Sequence, residues 1–119
     1  MKNSFFVTTP IYYSNAVPHI GHAYASFLAD TIARYERFSG HPVKFSTGVD
    51  ENSQKIIESA TAQDMGIMDY ADMMASKHRA IWDGIDITYT DFIRTTEPRH
   101  HAFVQEMLGR SYKNDDIYE

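Results

Sequence analysis

The sequence predicts an α/β fold, a parallel sheet with flanking helices, and three observations carry that prediction. Phe5, Phe6 and Val7, followed by two threonines, form an apolar run suited to a short strand. Tyr24, Phe27, Leu28, Thr31, Ile32, Tyr35 and Phe38 recur at helical spacing. Residues 43–47 then alternate as a second strand. Strand, helix and strand in so short a span imply a right-handed βαβ unit with parallel strands.

The totals narrow the class. A chain of 119 residues is long enough for one small domain, which buries roughly two-thirds of its unfolded surface. Sixteen acidic and eleven basic side chains give a net charge of -5. That balance argues against a chain that is mainly a nucleic-acid clamp, so any RNA contact is expected to be local or to rely on other parts. There is no cysteine, hence no disulfide and no thiolate zinc site. Residues 1–15 lack the apolar core of a signal peptide, and no apolar run approaches membrane-spanning length. The expected location is cytoplasmic. No repeat or linker interrupts the chain, so residues 1–119 are expected to form one domain.

In order, Pro10 and Pro18 bracket what reads as a shaped loop that ends the first strand. Pro18 suits a helix start, and the tetrad His19-Ile20-Gly21-His22 follows it. On the long helix Asp30, Arg34 and Arg37 take a different face from the apolar residues. Gly40 stops this helix and Pro42 prevents its return. Gly48 is expected to end the second strand, and Asp50-Glu51-Asn52-Ser53 to cap a helix from Gln54 to about Ala62. Gly66 breaks the chain. Asp69, with Asp72, opens the next helix in the manner of a capping box. Its seam reads Ala71, Met74, His78, Ile81 and Ile85, and Met65, Met68, Met73 and Met74 read as adaptable core filling. Residues 87–94 alternate as a third strand or extended segment, and residues 99–112 form a last helix. A turn at residues 113–116 precedes an apolar start at Ile117, Tyr118 and Glu119.

The chemistry concentrates at the tetrad. A strand feeding a helix through a turn presents free backbone N–H groups and the positive end of the macrodipole, which favours phosphate. His19 and His22, three residues apart, share one helix face and offer two imidazole donors for an anion. Gly21 removes a side chain, so a flat ligand can lie close to the backbone. The plainer reading is a pair of solvated helix-end histidines. Asp50 lies 28 residues past His22 at the end of the second strand, and parallel strand ends emerge on one edge. A carboxylate there suits an ammonium group; the plainer reading is a helix cap. His41 sits in a turn, His78 lies on an apolar seam, and His100 and His101 adjoin a helix start without Asp or Cys at ligand spacing, so no metal site is assigned to them.

His19-Ile20-Gly21-His22 after Pro10-Ile11-Tyr12-Tyr13 resembles the nucleotide-binding signature of class I aminoacyl-tRNA synthetases. Thr9-Pro10-Ile11-Tyr12-Tyr13 and Thr47-Gly48-Val49-Asp50-Glu51 resemble the methionyl-tRNA synthetases in particular, and the likeness runs from about Phe5 to the C-terminus. It implies a partial Rossmann-like sheet, the N-terminal half of a class I synthetase catalytic domain. It further implies ATP-dependent activation of methionine to methionyl-adenylate and transfer to tRNA(Met), with ATP and its Mg2+ as cofactors. By this resemblance His19 and His22 bind the ATP phosphates and stabilise the transition state, and Gly21 makes room for adenine and ribose. Asp50 takes the α-ammonium of methionine, while Pro10, Ile11 and Tyr13 line the methionine pocket. Tyr12 is given only a packing role. Asn52-Ser53 departs from the family's His-Gly and receives no role. The family's Lys-Met-Ser-Lys-Ser loop, zinc-bearing insertion and anticodon-binding domain are absent from these 119 residues. Zinc is therefore not expected here, tRNA is expected to bind through other parts, and the chain is expected to be incomplete as a catalyst without a complementary half. Two other readings are a small nucleotidyltransferase with a His-x-Gly-His word and a non-catalytic binding or dimerisation module.

Overall fold

The computed structural model describes residues 4–118. Met1, Lys2, Asn3 and Glu119, included in the leader and C-terminal readings above, lie outside the described residues. The elements run β1 (Phe5–Tyr13), α1 (Ile20–Phe38), β2 (Val43–Asp50), α2 (Gln54–Ala62), α3 (Ile67–Gly84), β3 (Asp91–Arg94) and α4 (Pro98–Lys113). The three strands form one parallel sheet in the order β1-β2-β3. The expected βαβ unit and the α/β class are both present.

Two strands are longer than the prolines and glycines suggest. β1 continues through Pro10 to Tyr13, correcting the expectation of a loop from that residue. The ladder shifts register between Thr8 and Ile11, so the proline, which has no N–H to donate, falls where regular pairing is already interrupted. The Thr9 hydroxyl steadies the irregularity, donating to the Pro10 carbonyl at 2.8 Å and lying 2.6 Å from the Thr47 hydroxyl. β2 likewise runs through Gly48 to Asp50. Gly48 is not a terminator; a Cβ there would meet the Ile93 carbonyl oxygen at 2.1 Å, so glycine lets β3 approach. β3 is shorter than the alternation of residues 87–94 predicts. Its approach is held by Thr90, whose N–H donates to the Phe45 carbonyl at 2.8 Å and whose hydroxyl accepts from the Phe45 N–H at 2.9 Å.

α1 buries its small side chains and not its large ones. Its buried residues are Ser26, Ala29, Asp30 and Ala33. Phe38 is 92 % and Ile20 84 % exposed, and Tyr24, Phe27, Leu28 and Tyr35 are exposed with them. Alanines let the helix axis close on Phe45 and Val49 of the sheet. Asp30, read above as part of a polar face, is buried. Its carboxylate accepts from the Thr88 N–H at 2.7 Å and from Arg34 Nε at 2.6 Å. Burial opposes its charge, but the bonds from Thr88 and Arg34 outweigh that and hold its pKa below the usual carboxylate value.

The main core joins Tyr12, Ala29, Ala33, Phe45, Val49 and Trp82. A second cluster of Ile56, Ala60, Tyr70 and Met74 ties α2 to α3, with Met65 and Met73 packed against it. Three of the four methionines thus fill core, while Met68 is exposed. α3 starts earlier than expected: Gly66 is the residue before its first turn, and Asp69 folds back beside that glycine. Trp82, absent from the predicted seam, is completely buried. α4 buries no residue and is tethered by Arg99, which donates to the Phe92 carbonyl at 3.1 Å and pairs with Asp91 at 2.9 Å.

Candidate active site

The C-terminal ends of β1 and β2 and the start of α1 meet at one edge of the sheet. Tyr13 and Asp50 are register partners across β1 and β2. The Ser14 N–H donates to the Asp50 carbonyl at 3.2 Å, which closes the pair. The connection from β1 to α1 is pinned by Tyr70, whose hydroxyl donates to the Asn15 carbonyl at 3.0 Å. Six residues past Tyr13, His19 caps α1.

The two histidines of the tetrad form a mutual cap. His19 Nδ1 accepts from the Gly21 N–H at 3.0 Å, and His22 Nδ1 accepts from the His19 N–H at 3.2 Å. Their rings stack with centroids 3.9 Å apart. A ring whose Nδ1 accepts carries its proton on Nε2, so each imidazole keeps an Nε2–H donor for another partner. Protonating either Nδ1 would break the cap. For His22 the environment points the same way: burial, then the neighbouring His19 and His78, lower its pKa from the ordinary 6.5. The backbone donors expected to be free at this helix start are largely engaged, because the His22 and Ala23 N–H groups also turn inward to the His19 carbonyl. Donation to an anion therefore falls mainly to the imidazoles.

Gly21 has a second reason to lack a side chain. A Cβ there would sit 2.9 Å from His19 Cε1, so the glycine makes room for the His19 ring itself. Tyr12, given only a packing role, supports the tetrad from beneath. It is buried, its ring lies 4.7 Å from that of His22, and its hydroxyl is 3.1 Å from the Ser26 hydroxyl. Strand alternation carried the signal, since residues 12 and 13 must face opposite ways.

The remaining proposed contacts separate. Pro10 and Ile11 are exposed on β1. Asp50 lines a cleft of about 580 Å³ toward α4, together with Thr95, Thr96, His100 and His101. Tyr13 is exposed and borders a smaller recess of about 240 Å³ beside α2. Asn52 lines both. Asp50 does not cap α2; its Oδ1 accepts from the Asn52 N–H at 3.0 Å, and Ser53 occupies the cap position.

Glu51, which sequence reading left within a polar cluster, is the most enclosed carboxylate of this edge. Arg94 Nε donates to its two oxygens at 2.9 and 3.2 Å, and the Thr96 hydroxyl donates at 2.6 Å. The signal was present in Arg94-Thr95-Thr96, a polar run at the end of a third parallel strand and hence on the edge that holds Asp50.

A parallel sheet with a histidine-capped helix start and a carboxylate at its C-terminal strand ends has the layout of α/β proteins that bind ligands at that edge. The family described as tRNA synthetases class I (M) matches residues 5–119. The methionine–tRNA ligase of Arabidopsis thaliana chloroplasts and mitochondria is 45 % identical over 115 residues, 97 % of this chain and 19 % of the relative. That of Thermosynechococcus vestitus is 45 % identical over 118 residues, 99 % of this chain and 22 % of the relative. The solved Mycobacterium tuberculosis methionyl-tRNA synthetase in complex with methionyl-adenylate superposes with a TM-score of 0.93 at 36 % identity, covering 99 % of this chain and 23 % of that one. The chain belongs to the class I tRNA synthetases of the methionine type. It spans about a fifth of the length of the curated relatives it matches.

Proposed function

We propose that this chain is the N-terminal half of the catalytic domain of a methionine–tRNA ligase and carries its share of methionine activation. The methionine carboxylate attacks the α-phosphorus of ATP, pyrophosphate leaves, and the acyl-adenylate is then passed to tRNA(Met). No protein nucleophile is required; the site must align two anions and stabilise charge on phosphoryl oxygens.

The observation that carries this reading is the mutual cap of His19 and His22. It holds two rings side by side, each accepting a backbone bond at Nδ1 and keeping an Nε2–H donor for a phosphate oxygen, at the positive end of α1. Asp50, at the neighbouring strand end, receives the α-ammonium of methionine, and Tyr13, Pro10 and Ile11 border the amino acid. Gly21 keeps the backbone low enough for adenine and ribose beside the tetrad. Mg2+ would come with the triphosphate and neutralise its charge. Glu51 is occupied by Arg94 and Thr96, and the single carboxylate of Asp50 is too little to hold the ion alone. tRNA engages parts outside these residues, and the setting is cytoplasmic. Among the described residues no helix is long and apolar enough to cross a membrane.

The test is methionine-dependent exchange of pyrophosphate into ATP. The chain alone is expected to stay near background, and exchange is expected to return when the complementary half of the catalytic domain is supplied. Robust exchange by the chain alone, or none after complementation, overturns the proposal.

A further inference from the structure

Asp50 is followed directly by a residue that takes no part in the chemistry above. The Glu51 side chain is fully buried, an unusual place for a carboxylate, and every bond it makes goes to one short stretch at the end of β3. Arg94 Nε meets both of its oxygens, Thr96 donates to Oε2, and the Glu51 N–H donates to the Thr95 hydroxyl at 2.9 Å. Arg94 Nη2 lies at ion-pair distance from Glu51, 2.9 Å, and from Asp72 of α3, 2.6 Å. The Asp50 backbone is thus clamped on both sides, by Ser14 of the β1 side and by this cluster on the β3 side.

A buried ion pair is a poor way to gain stability, because desolvating two charges offsets much of their attraction, and apolar replacements are often neutral or better. What such a pair does supply is direction: Arg94 Nε bridges both Glu51 oxygens and Thr96 donates to one of them, so the carboxylate is fixed in angle as well as distance. Both Glu51 oxygens are engaged by Arg94 and Thr96, whereas Asp50 spends one oxygen on the Asn52 N–H and keeps the other for an ammonium.

We infer that Glu51 and Arg94 are positioning residues that aim the Asp50 carboxylate at the amino group of the amino-acid substrate. This rests on the proposed role of Asp50. It predicts that disturbing the pair weakens recognition of the ammonium group alone, leaving the nucleotide and the rest of the amino acid untouched.

The experiment uses pyrophosphate exchange by the chain completed with its complementary half. The probes are methionine and its deaminated analogue, 4-(methylthio)butanoate, the latter as a competitive inhibitor. In Arg94→Lys and Glu51→Gln the methionine KM is expected to rise about tenfold, while the ATP KM and the inhibition constant of the analogue stay within about twofold. Thr96→Val, which removes one bond and keeps the ion pair, guards against failure to fold and should show the same split at about threefold. Arg110→Ala, in an exposed pair with Glu106 on α4, should change nothing. Equal losses toward methionine and the analogue in all three variants, or no loss in any, overturn the inference. Failure of the underlying reading looks different: no exchange from the unsubstituted assembly, or an Asp50→Asn variant that treats methionine and its analogue alike.

Discussion

At the scale of single residues, Gly21 shows how one missing atom organises a site. Its bare Cα admits the His19 ring, and its N–H holds that ring by Nδ1. Alanine at this position would push the ring aside by direct contact and loosen the stack on His22. Gly21→Ala is therefore expected to lower exchange by the completed enzyme about a hundredfold, the scale of a small misplacement of a catalytic group. Thermal unfolding of the same variant should shift little, because the contact is at the exposed start of α1. Wild-type exchange in Gly21→Ala would show that the His19 ring position is unimportant. Asp50 belongs to this scale too. Its turn bond to Asn52 uses one oxygen and leaves the other for a ligand.

At the scale of elements, α1 inverts the usual amphipathic pattern. Its core face is Ser26, Ala29 and Ala33, and its large apolar side chains point the other way. The helix must sit close to β1 and β2 to bring its N-terminus to their ends, and alanine is what a close approach tolerates. Ala33, with no exposed surface, has no room to grow. Ala33→Leu is expected to destabilise the chain by about 1–3 kcal/mol through overpacking. Phe38→Ser, at the outer face, is expected to change stability by less than about 0.5 kcal/mol. Denaturant titration of both variants measures the contrast, and the opposite order would mean that the helix buries its other face.

At the scale of the whole molecule, stability is linked to two buried or half-buried imidazoles. His78 is fully buried, donates through Nδ1 to the Met74 carbonyl, and lies near Glu51. Burial lowers its pKa from 6.5, against the opposing pull of the Met74 bond and Glu51; the pKa of His22 is lowered as well. Each is therefore neutral in the folded chain at a pH where the unfolded chain already binds a proton. Their contribution is fully present above pH 6.5 and is lost as pH falls from there through the lowered folded pKa values. Unfolding free energy should drop as pH falls below about 6.5, and His78→Leu should flatten that slope whatever it does to absolute stability. An unchanged slope in His78→Leu would place the pH dependence elsewhere.

Much of this protein is legible in one dimension. The strand–helix–strand order, the stop at Gly40, the bounds of α2 and the tetrad at a helix start all follow from propensity, punctuation and period, which are local properties of the chain. Pro10 and Gly48 misled because their meaning is not local. A proline inside β1 is tolerated only since the ladder slips beside it, and a glycine inside β2 is required only since the Ile93 carbonyl lies against it. The outward face of α1, the support of Tyr12 under His22 and the clasp of Arg94 on Glu51 join residues 10 to 43 positions apart. Such contacts are set by how strands register and how closely a helix can approach a sheet. Sequence named the chemical groups; tertiary structure decided which way they face, because direction is fixed by neighbours that only folding supplies.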